Sequence, residues 1–377
     1  MRPGMRIGID ARCLEGNLTG IGRYVYELCL AMDSCCPAAT FYLYSQNPLS
    51  VDLPSSRWVT RVEPRAFARR VKGILWLKYR LNALCAGDDL DVFWGAATFL
   101  PKFARKVSLV STVYDLNSVV VPHTMPLFTR FAHELFFKND VRRADIIVAI
   151  SHGTAQRLQR TYGVSASAVI CPAASPWFQP QSREVVLSMR SRYKLNRPYV
   201  LAVATREPRK NLESLLLAFE SIRAKDQMKE YDLVLAGGGG WLDNKLNQYI
   251  RRAVQDGYIR LLGYVPDSDL PALYSGAEVF VFPSLYEGYG IPAREALACG
   301  VQVVTTDIPE LREATEGAAI YIQPTIQGVA DGLVYALQDS VSFRGKQVVL
   351  RQQTWAEGGA KLLEIFANSA HHHESTQ

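Results

Sequence analysis

Val279-Phe-Val-Phe-Pro283-Ser-Leu-Tyr-Glu-Gly-Tyr-Gly290-Ile-Pro-Ala-Arg-Glu-Ala-Leu-Ala-Cys-Gly300-Val-Gln-Val-Val-Thr305 is the stretch on which the fold turns. Its two ends, Val279 to Phe282 and Val301 to Thr305, are short apolar runs rich in β-branched and aromatic residues, which read as strands. Between them, Gly288 and Gly290 flank Tyr289 and let backbone come close to a ligand. Pro292 suits a first helical turn because it has no N–H to waste there, and Gly300 suits the C-terminal stop. Strand, glycine loop, helix and strand make a βαβ unit, the building block of a parallel sheet covered on both faces. Unused N–H groups near Gly290, Ile291 and Ala293, together with the helix dipole, form a site for phosphate. Glu287 before the turn and Glu295 after it would repel a bare anion, but they suit the hydroxyls of a ribose and a sugar through charge-assisted hydrogen bonds.

The same alternation extends in both directions. Strands are predicted at Arg6 to Ile9, Thr40 to Tyr44, Val92 to Trp94, Ser108 to Tyr114 and Asp145 to Ile150. A second series is predicted at Tyr199 to Ala204, Asp232 to Ala236, Ile259 to Leu262, Val279 to Phe282 and Val301 to Thr305. The proline-marked segment from Cys171 to Pro180 separates them, and residues 172 to 190 are the predicted hinge. The chain is therefore α/β throughout, with Rossmann-like domains at 1–178 and 179–354, a division that suits its 377 residues. No apolar run approaches the length of a spanning helix, and the N-terminus reaches Asp10 before any region long enough for a signal peptide. Seven scattered cysteines without a CxxC pair suggest neither a disulfide framework nor zinc, and they fit a reducing compartment. The net charge of +6 suits anionic ligands or a membrane surface. His371 to His373 read as a frayed terminus, and Asp89-Leu-Asp91 as a turn before a strand, so no metal ligand is assigned.

A second motif, Ala202-Val-Ala-Thr-Arg-Glu-Pro-Arg-Lys-Asn-Leu-Glu213, leaves a strand and opens a helix. It places Arg209 and Lys210 at the C-terminal edge of the second sheet, where open α/β sheets bind ligands. Two adjacent cations there read either as a solvated helix start or as partners for an anionic ligand. In the first half, Thr19-Gly-Ile-Gly-Arg-Tyr-Val-Tyr26 is another glycine loop opening a helix, but Val25 stands where a dinucleotide fingerprint needs its third glycine. Val113-Tyr-Asp-Leu116 ends a further strand. Gly237 to Gly240 follow another and read either as a phosphate cradle or as a plain turn.

Glu287 and Glu295, separated by seven residues, resemble the EX7E signature of retaining family-four glycosyltransferases of the GT-B fold, and the resemblance runs along nearly the whole chain. It implies two facing Rossmann-like domains with the active site between them and a C-terminal helix, residues 355–377, returning to the first. It implies that Glu287 contacts a hydroxyl of the transferred sugar, that Glu295 holds the ribose, and that the amides from Gly288 to Ile291 meet the diphosphate. The Glu-Pro-Arg-Lys-Asn loop is similar to the family's, although Ala204 stands where some members have arginine, which leaves Arg206 or Arg209 to approach the diphosphate. Gly20, Gly22, Arg23 and Gly237 are implied donor-side residues. Tyr114 and Asp115 are implied to position sugar or acceptor, with Tyr114 replacing the usual histidine. The implied reaction moves a hexosyl group, mannose or a deoxyhexose carried by GDP, onto a growing lipid-linked polysaccharide, without a metal or other cofactor. The chain looks most like O-antigen mannosyl- and rhamnosyltransferases.

Two other readings share the donor pocket: a GT-B nucleotide-sugar epimerase, which needs acid/base carboxylates or histidines around the sugar and for which His123, His133 and His152 do not form a convincing set, and a sugar-nucleotide-binding subunit with weak catalysis. A cytoplasmic location is expected, with peripheral contact at the inner membrane face through residues 65–80. There Arg65, Arg69, Arg70, Lys72, Lys78 and Arg80 surround Ile74 to Leu77 with no acid, as in a basic amphipathic helix. No nucleic-acid partner is expected.

Overall fold

Apolar runs that are buried on both faces dictate this architecture, because each needs a helical layer on either side. The computed structural model describes residues 4–18, 20–35, 38–103, 107–225, 228–240, 244–338, 350 and 354–374. Thr19 lies outside this set. Among the described residues, thirteen strands form two sheets whose ladders are all parallel. The first contains β1 Arg6–Asp10, β2 Thr40–Ser45, β3 Trp58–Val62, β4 Val92–Gly95, β5 Ser108–Val113, β6 Ile146–Ala149 and β7 Ala168–Val169. Its order is β3-β2-β1-β4-β5-β6-β7. The second contains β8 Tyr199–Val203, β9 Asp232–Ala236, β10 Ile259–Gly263, β11 Val279–Phe282, β12 Gln302–Thr306 and β13 Ile320–Ile322. Its order is β10-β9-β8-β11-β12-β13.

The chain divides into two compact units. One is Met1–Ser118 with Pro126–Ala173 and Gln353–Gln377; the other is Val119–Met125 with Ala174–Gln352. The division falls at Ala173/Ala174 rather than 178/179, and the predicted hinge already contains a helix, Arg183–Arg192, capped by the Ser182 hydroxyl. In the second unit the pleat sorts side chains strictly. Phe280 and Phe282 enter one core with Leu201, Leu273 and Leu297, while Val279 and Val281 enter the other with Leu215, Phe219 and Leu333.

In the first unit, residues 65–80 do not form one amphipathic helix. They fold as two short helices, Ala66–Arg69 and Gly73–Tyr79, and Trp76 and Leu77 are fully buried with Tyr44 and Phe93. The Trp76 indole donates to the Glu63 carboxylate at 2.8 Å. Of the four apolar residues expected to meet lipid, Trp76 and Leu77 are thus part of the core.

Helix Trp355–Glu374 packs along helix Gly20–Cys35 within the same unit. Trp355 meets the Tyr24 ring edge-on, Phe366 lies against Trp94, and Ser369 hydrogen-bonds Ser108. Paired glycines inside a helix cost stability unless something needs the space. Here a Cβ on Gly359 would come within 2.6 Å of the Ala31 Cβ and 3.0 Å of its carbonyl carbon. We therefore expect Gly359→Val to destabilise this unit by about 2 kcal/mol, measured as a lower denaturation midpoint; an unchanged midpoint would show that the crossing is looser than described.

Candidate donor site

In the second sheet the chain starts at β8, moves outward to β9 and β10, then returns to β11 on the opposite side. That reversal is a topological switch point, and the loops leaving β8 and β11 diverge beside it. Register fixes them as neighbours, because Val200 pairs with Val279 and Leu201 with Phe280. The β8 loop passes through the single turn Pro208–Lys210 and then Asn211, whose φ of 54° is left-handed. Asparagine tolerates that conformation. Its side-chain amide donates to the carbonyls of Pro283 and Pro324, at 3.1 and 3.0 Å. The backbone N–H of Leu285 donates to the Arg209 carbonyl at 2.9 Å, tying the two loops together.

Glu287 is the centre of this arrangement. One carboxylate oxygen accepts from Arg209 at 2.7 Å and the other from Lys210 at 2.7 Å. Arg209 also donates to the Tyr286 carbonyl at 3.0 Å and reaches Glu207 at 3.4 Å, and the Lys210 ammonium sits 4.9 Å from the centre of the Phe282 ring. Burial by itself would raise the Glu287 carboxyl, yet Arg209 and Lys210 outweigh it and hold the group at about 2. Burial and the adjacent Arg209 push the Lys210 ammonium below the ordinary lysine range, with Glu287 opposing. At neutral pH the carboxylate is therefore a fixed acceptor rather than a proton carrier. Each of its oxygens has a second lone pair for a hydroxyl.

Other expected site residues sit differently. Arg209 stands beside Lys210 and Glu287, and the backbone N–H of Arg206 donates to the Gly238 carbonyl at 3.4 Å. Glu295, on helix Ile291–Ala298, is buried and accepts from the Tyr274 hydroxyl at 3.2 Å. Gly288 and Tyr289 are buried in the loop before that helix. Gly290 opens the helix with a φ of 111°, and a Cβ there would lie 2.4 Å from Leu311. The N–H of Ala293 is not available for an anion, because it donates to the Gly290 carbonyl at 3.1 Å; among the described residues those of Gly290 and Ile291 have no such backbone partner. Gly237 likewise does not offer its N–H, which donates to Gly263 at 2.7 Å. Gly237 has a φ of 131°, and a Cβ would strike the Ala204 carbonyl at 2.1 Å. Gly240 meets the Arg206 carbonyl in the same way, so these glycines let the β8 loop seat closely. Sequence reading gave no role to Glu207, Asn211 or Tyr274, although an asparagine directly before a helical run does mark a left-handed turn.

Gly20, Gly22, Arg23, Tyr114 and Asp115 belong to the first unit. Gly20 starts a helix after β1, at that sheet's own switch point between β1 and β4. Gly22 is required there, since a Cβ would lie 2.4 Å from the Cys13 carbonyl. Arg23, one residue on, is half-buried in the same turn. The Tyr114 hydroxyl is buried and donates to the Ala96 carbonyl at 2.7 Å, and burial pushes it well above its ordinary value. Asp115 accepts from the Asn117 backbone and side-chain amides. Of the three histidines, His133 packs between Phe99 and Phe137, and His133 and His152 belong to the first unit while His123 belongs to the second. Asp89 and Asp91 both accept from Arg6, as befits a turn. Among the described residues no cluster of three or more His, Cys, Asp or Glu side chains could hold a metal ion; the side chains of His371 to His373 lie outside them. No helix among the described residues is long and apolar enough to cross a membrane.

Comparison with known proteins places these features in a family. Residues 188–353 match the family model "Glycosyl transferases group 1" and residues 18–175 match "Glycosyltransferase Family 4". The O-antigen chain mannosyltransferase B of Escherichia coli is 31% identical over 350 residues, covering 89% of this chain and 91% of that protein. The chain belongs to the family-four, group 1 glycosyltransferases. This glycosyltransferase is also 32% identical over 240 residues to the serotype-specific mannosyltransferase WbdA of Escherichia coli, of which it spans only 29%. Its fold is shared with sucrose-phosphate synthase from Thermosynechococcus elongatus, at a TM-score of 0.70 and 17% identity over 100% of this chain and 98% of that one. Its two Rossmann-like halves are of the GT-B class, and it is a hexosyltransferase that uses a nucleotide-sugar donor.

The Glu287 ion pairs contribute to the acid behaviour of the glycosyltransferase. A carboxyl lowered from 4.5 to about 2 contributes stability that is complete above pH 4.5 and is lost as the pH falls toward 2. The full effect is about 3 kcal/mol. We expect Glu287→Gln, which strands two buried cations, to lower Tm at pH 7, and the gap to wild type to narrow steadily below pH 4.5. Parallel Tm curves would show that the carboxylate is not held down by the cations.

Proposed function

We propose that this glycosyltransferase moves a mannosyl or deoxyhexosyl group from a GDP-sugar to a hydroxyl of a growing lipid-linked polysaccharide, with retention at the anomeric carbon and without a metal. The observation that carries this reading is Glu287 bridging Arg209 and Lys210 at the switch point of the second sheet. The mannosyltransferase names of its relatives support the choice of sugar, and the O-antigen name supports a polysaccharide acceptor.

In this reading Arg209 and Lys210 face the diphosphate and stabilise the charge that develops on it, the work a divalent cation does in other transferases. Because they are already oriented by Glu287, little reorganisation accompanies the reaction. The amides of Gly290 and Ile291 add donors at the helix start. Glu287 accepts from a sugar hydroxyl and Glu295 from the ribose. With Glu287 held at about 2 it cannot serve as a general base. The acceptor's proton then passes to the departing phosphate oxygen as the new glycosidic bond forms on the same face. Gly20, Gly22 and Arg23 contribute on the donor side from the first unit, and Asp115 positions sugar or acceptor beside Tyr114, whose hydroxyl is held by its bond to Ala96. A lipid-linked acceptor places the enzyme at the cytoplasmic face of the membrane.

The test is turnover of labelled GDP-mannose and other nucleotide sugars with a lipid-linked acceptor extract. Lys210→Ala should lower kcat by about 10²–10³, Glu287→Ala should abolish transfer, and chelation by EDTA should leave the wild-type rate unchanged. Near-wild-type rates for either variant, or a rate that collapses in EDTA and returns with a divalent cation, would contradict the assignment. Isomerised donor without transfer would favour the epimerase reading, and saturable binding without turnover the binding subunit.

A further inference from the structure

Helix Leu127–Arg143 is apolar on both sides. Ala132, Phe137 and Val141 are buried against the first unit. Leu127, Phe128, Phe131 and Leu135 are 83%, 45%, 61% and 56% exposed. Spaced at i, i+1, i+4 and i+8, these four fall in one stripe of roughly 100°. A helix apolar all round is normally covered on all sides, and an exposed apolar stripe rimmed by polar residues marks an interaction surface.

The charge around this stripe is distinctive. Residues 65–80 hold six cations and no acid; helix Leu127–Arg143 holds four cations and two acids. Together they carry a net +8, more than the +6 of the entire chain. Both acids are already neutralised: Glu134 pairs with Arg130, and Asp140 with Lys78 and Arg143. The two stretches are locked side by side, with the Lys72 ammonium 5.4 Å from the Phe128 ring centre and Lys78 both 5.1 Å from that of Phe136 and bonded to Asp140. Lys72 is exposed beside the stripe, Arg65 and Arg70 are exposed on the same basic segment, and Lys138 and Arg142 continue the line of the stripe toward the helix C-terminus.

We propose that this face docks on an anionic lipid bilayer, with Leu127, Phe128, Phe131 and Leu135 entering the headgroup–acyl boundary and the flanking cations meeting lipid phosphates. An amphipathic helix lying in the interface combines these two contributions. A second copy of the chain would bring the same positive charge to the same face and be repelled, while nucleic acid offers nothing to the apolar stripe. The proposal deepens the reading of a lipid-linked acceptor and moves the main apolar contact from the 65–80 segment, whose Trp76 and Leu77 are core, to the neighbouring helix.

Flotation of the full-length protein with phosphatidylcholine vesicles, with and without phosphatidylglycerol, tests it. Wild type should partition at least tenfold more strongly onto the anionic vesicles. Leu127→Ser/Phe131→Ser/Leu135→Ser should lose at least tenfold of that binding at any salt concentration, and Arg65→Gln/Arg70→Gln/Lys72→Gln should lose the preference for anionic lipid. Both variants should keep wild-type circular dichroism and wild-type transfer to a detergent-free soluble glycan acceptor. Undiminished vesicle binding by the serine variant, no binding by wild type, or a wild-type dimer in sedimentation that the serine variant abolishes would each overturn the proposal. Vesicle binding is read without donor turnover, so a docking failure with intact transfer removes only this surface, and intact docking without transfer removes only the proposed function.

Discussion

The second domain is organised around one buried carboxylate holding two buried cations. Burial alone pushes the Lys210 ammonium below its ordinary range, and a buried guanidinium such as Arg209 is costly without an anion beside it. Glu287 resolves this by taking one cation on each oxygen, and the two loops are stitched by Leu285 and Asn211 so that the geometry is held from both sides. Three charges are thereby fixed in place before any ligand arrives. Preorganisation of this kind matters most for a reaction whose difficulty is charge separation, because no solvent or side chain has to rearrange as the bond breaks.

Strand pairing makes this possible. The cations and the carboxylate are nearly eighty residues apart in sequence, and they meet because β8 and β11 lie next to each other where the order of strands reverses. The glycines at 237 and 240 serve the same end. They allow the backbone after β9 to rest against Ala204 and Arg206 and so seat the loop that carries the cations. A substitution far from the charges can therefore disturb them through backbone position alone.

Much of this was legible in the sequence. Central strands such as Asp232–Ala236 and Val279–Phe282 announce themselves because both faces are buried and the run is continuously apolar. The unpredicted strands are the edges Trp58–Val62, Ala168–Val169 and Ile320–Ile322, which are partly exposed or only two or three residues long and carry too little pattern. Arg209, Lys210 and Glu287 could be picked out as charged residues at strand ends, but their pairing depends on sheet register. The amides of Ala293 and Gly237 were not legible as engaged, because each is satisfied by a single cap or loop carbonyl. Residues 65–80 illustrate a different limit. Local amphipathicity shows that a segment has an apolar side, not what that side meets, and here Glu63 draws Trp76 inward. The exposed stripe on helix Leu127–Arg143 was hidden for the converse reason, since its buried and exposed faces are equally apolar.

The most direct test of the central claim is a crystal structure of the glycosyltransferase soaked with GDP. The account predicts the pyrophosphate within hydrogen-bonding distance of both the Arg209 guanidinium and the Lys210 ammonium, at the start of helix Ile291–Ala298, with Glu287 still ionised beside them. A nucleotide lodged away from these cations, with Glu287 still bridging them, would contradict it.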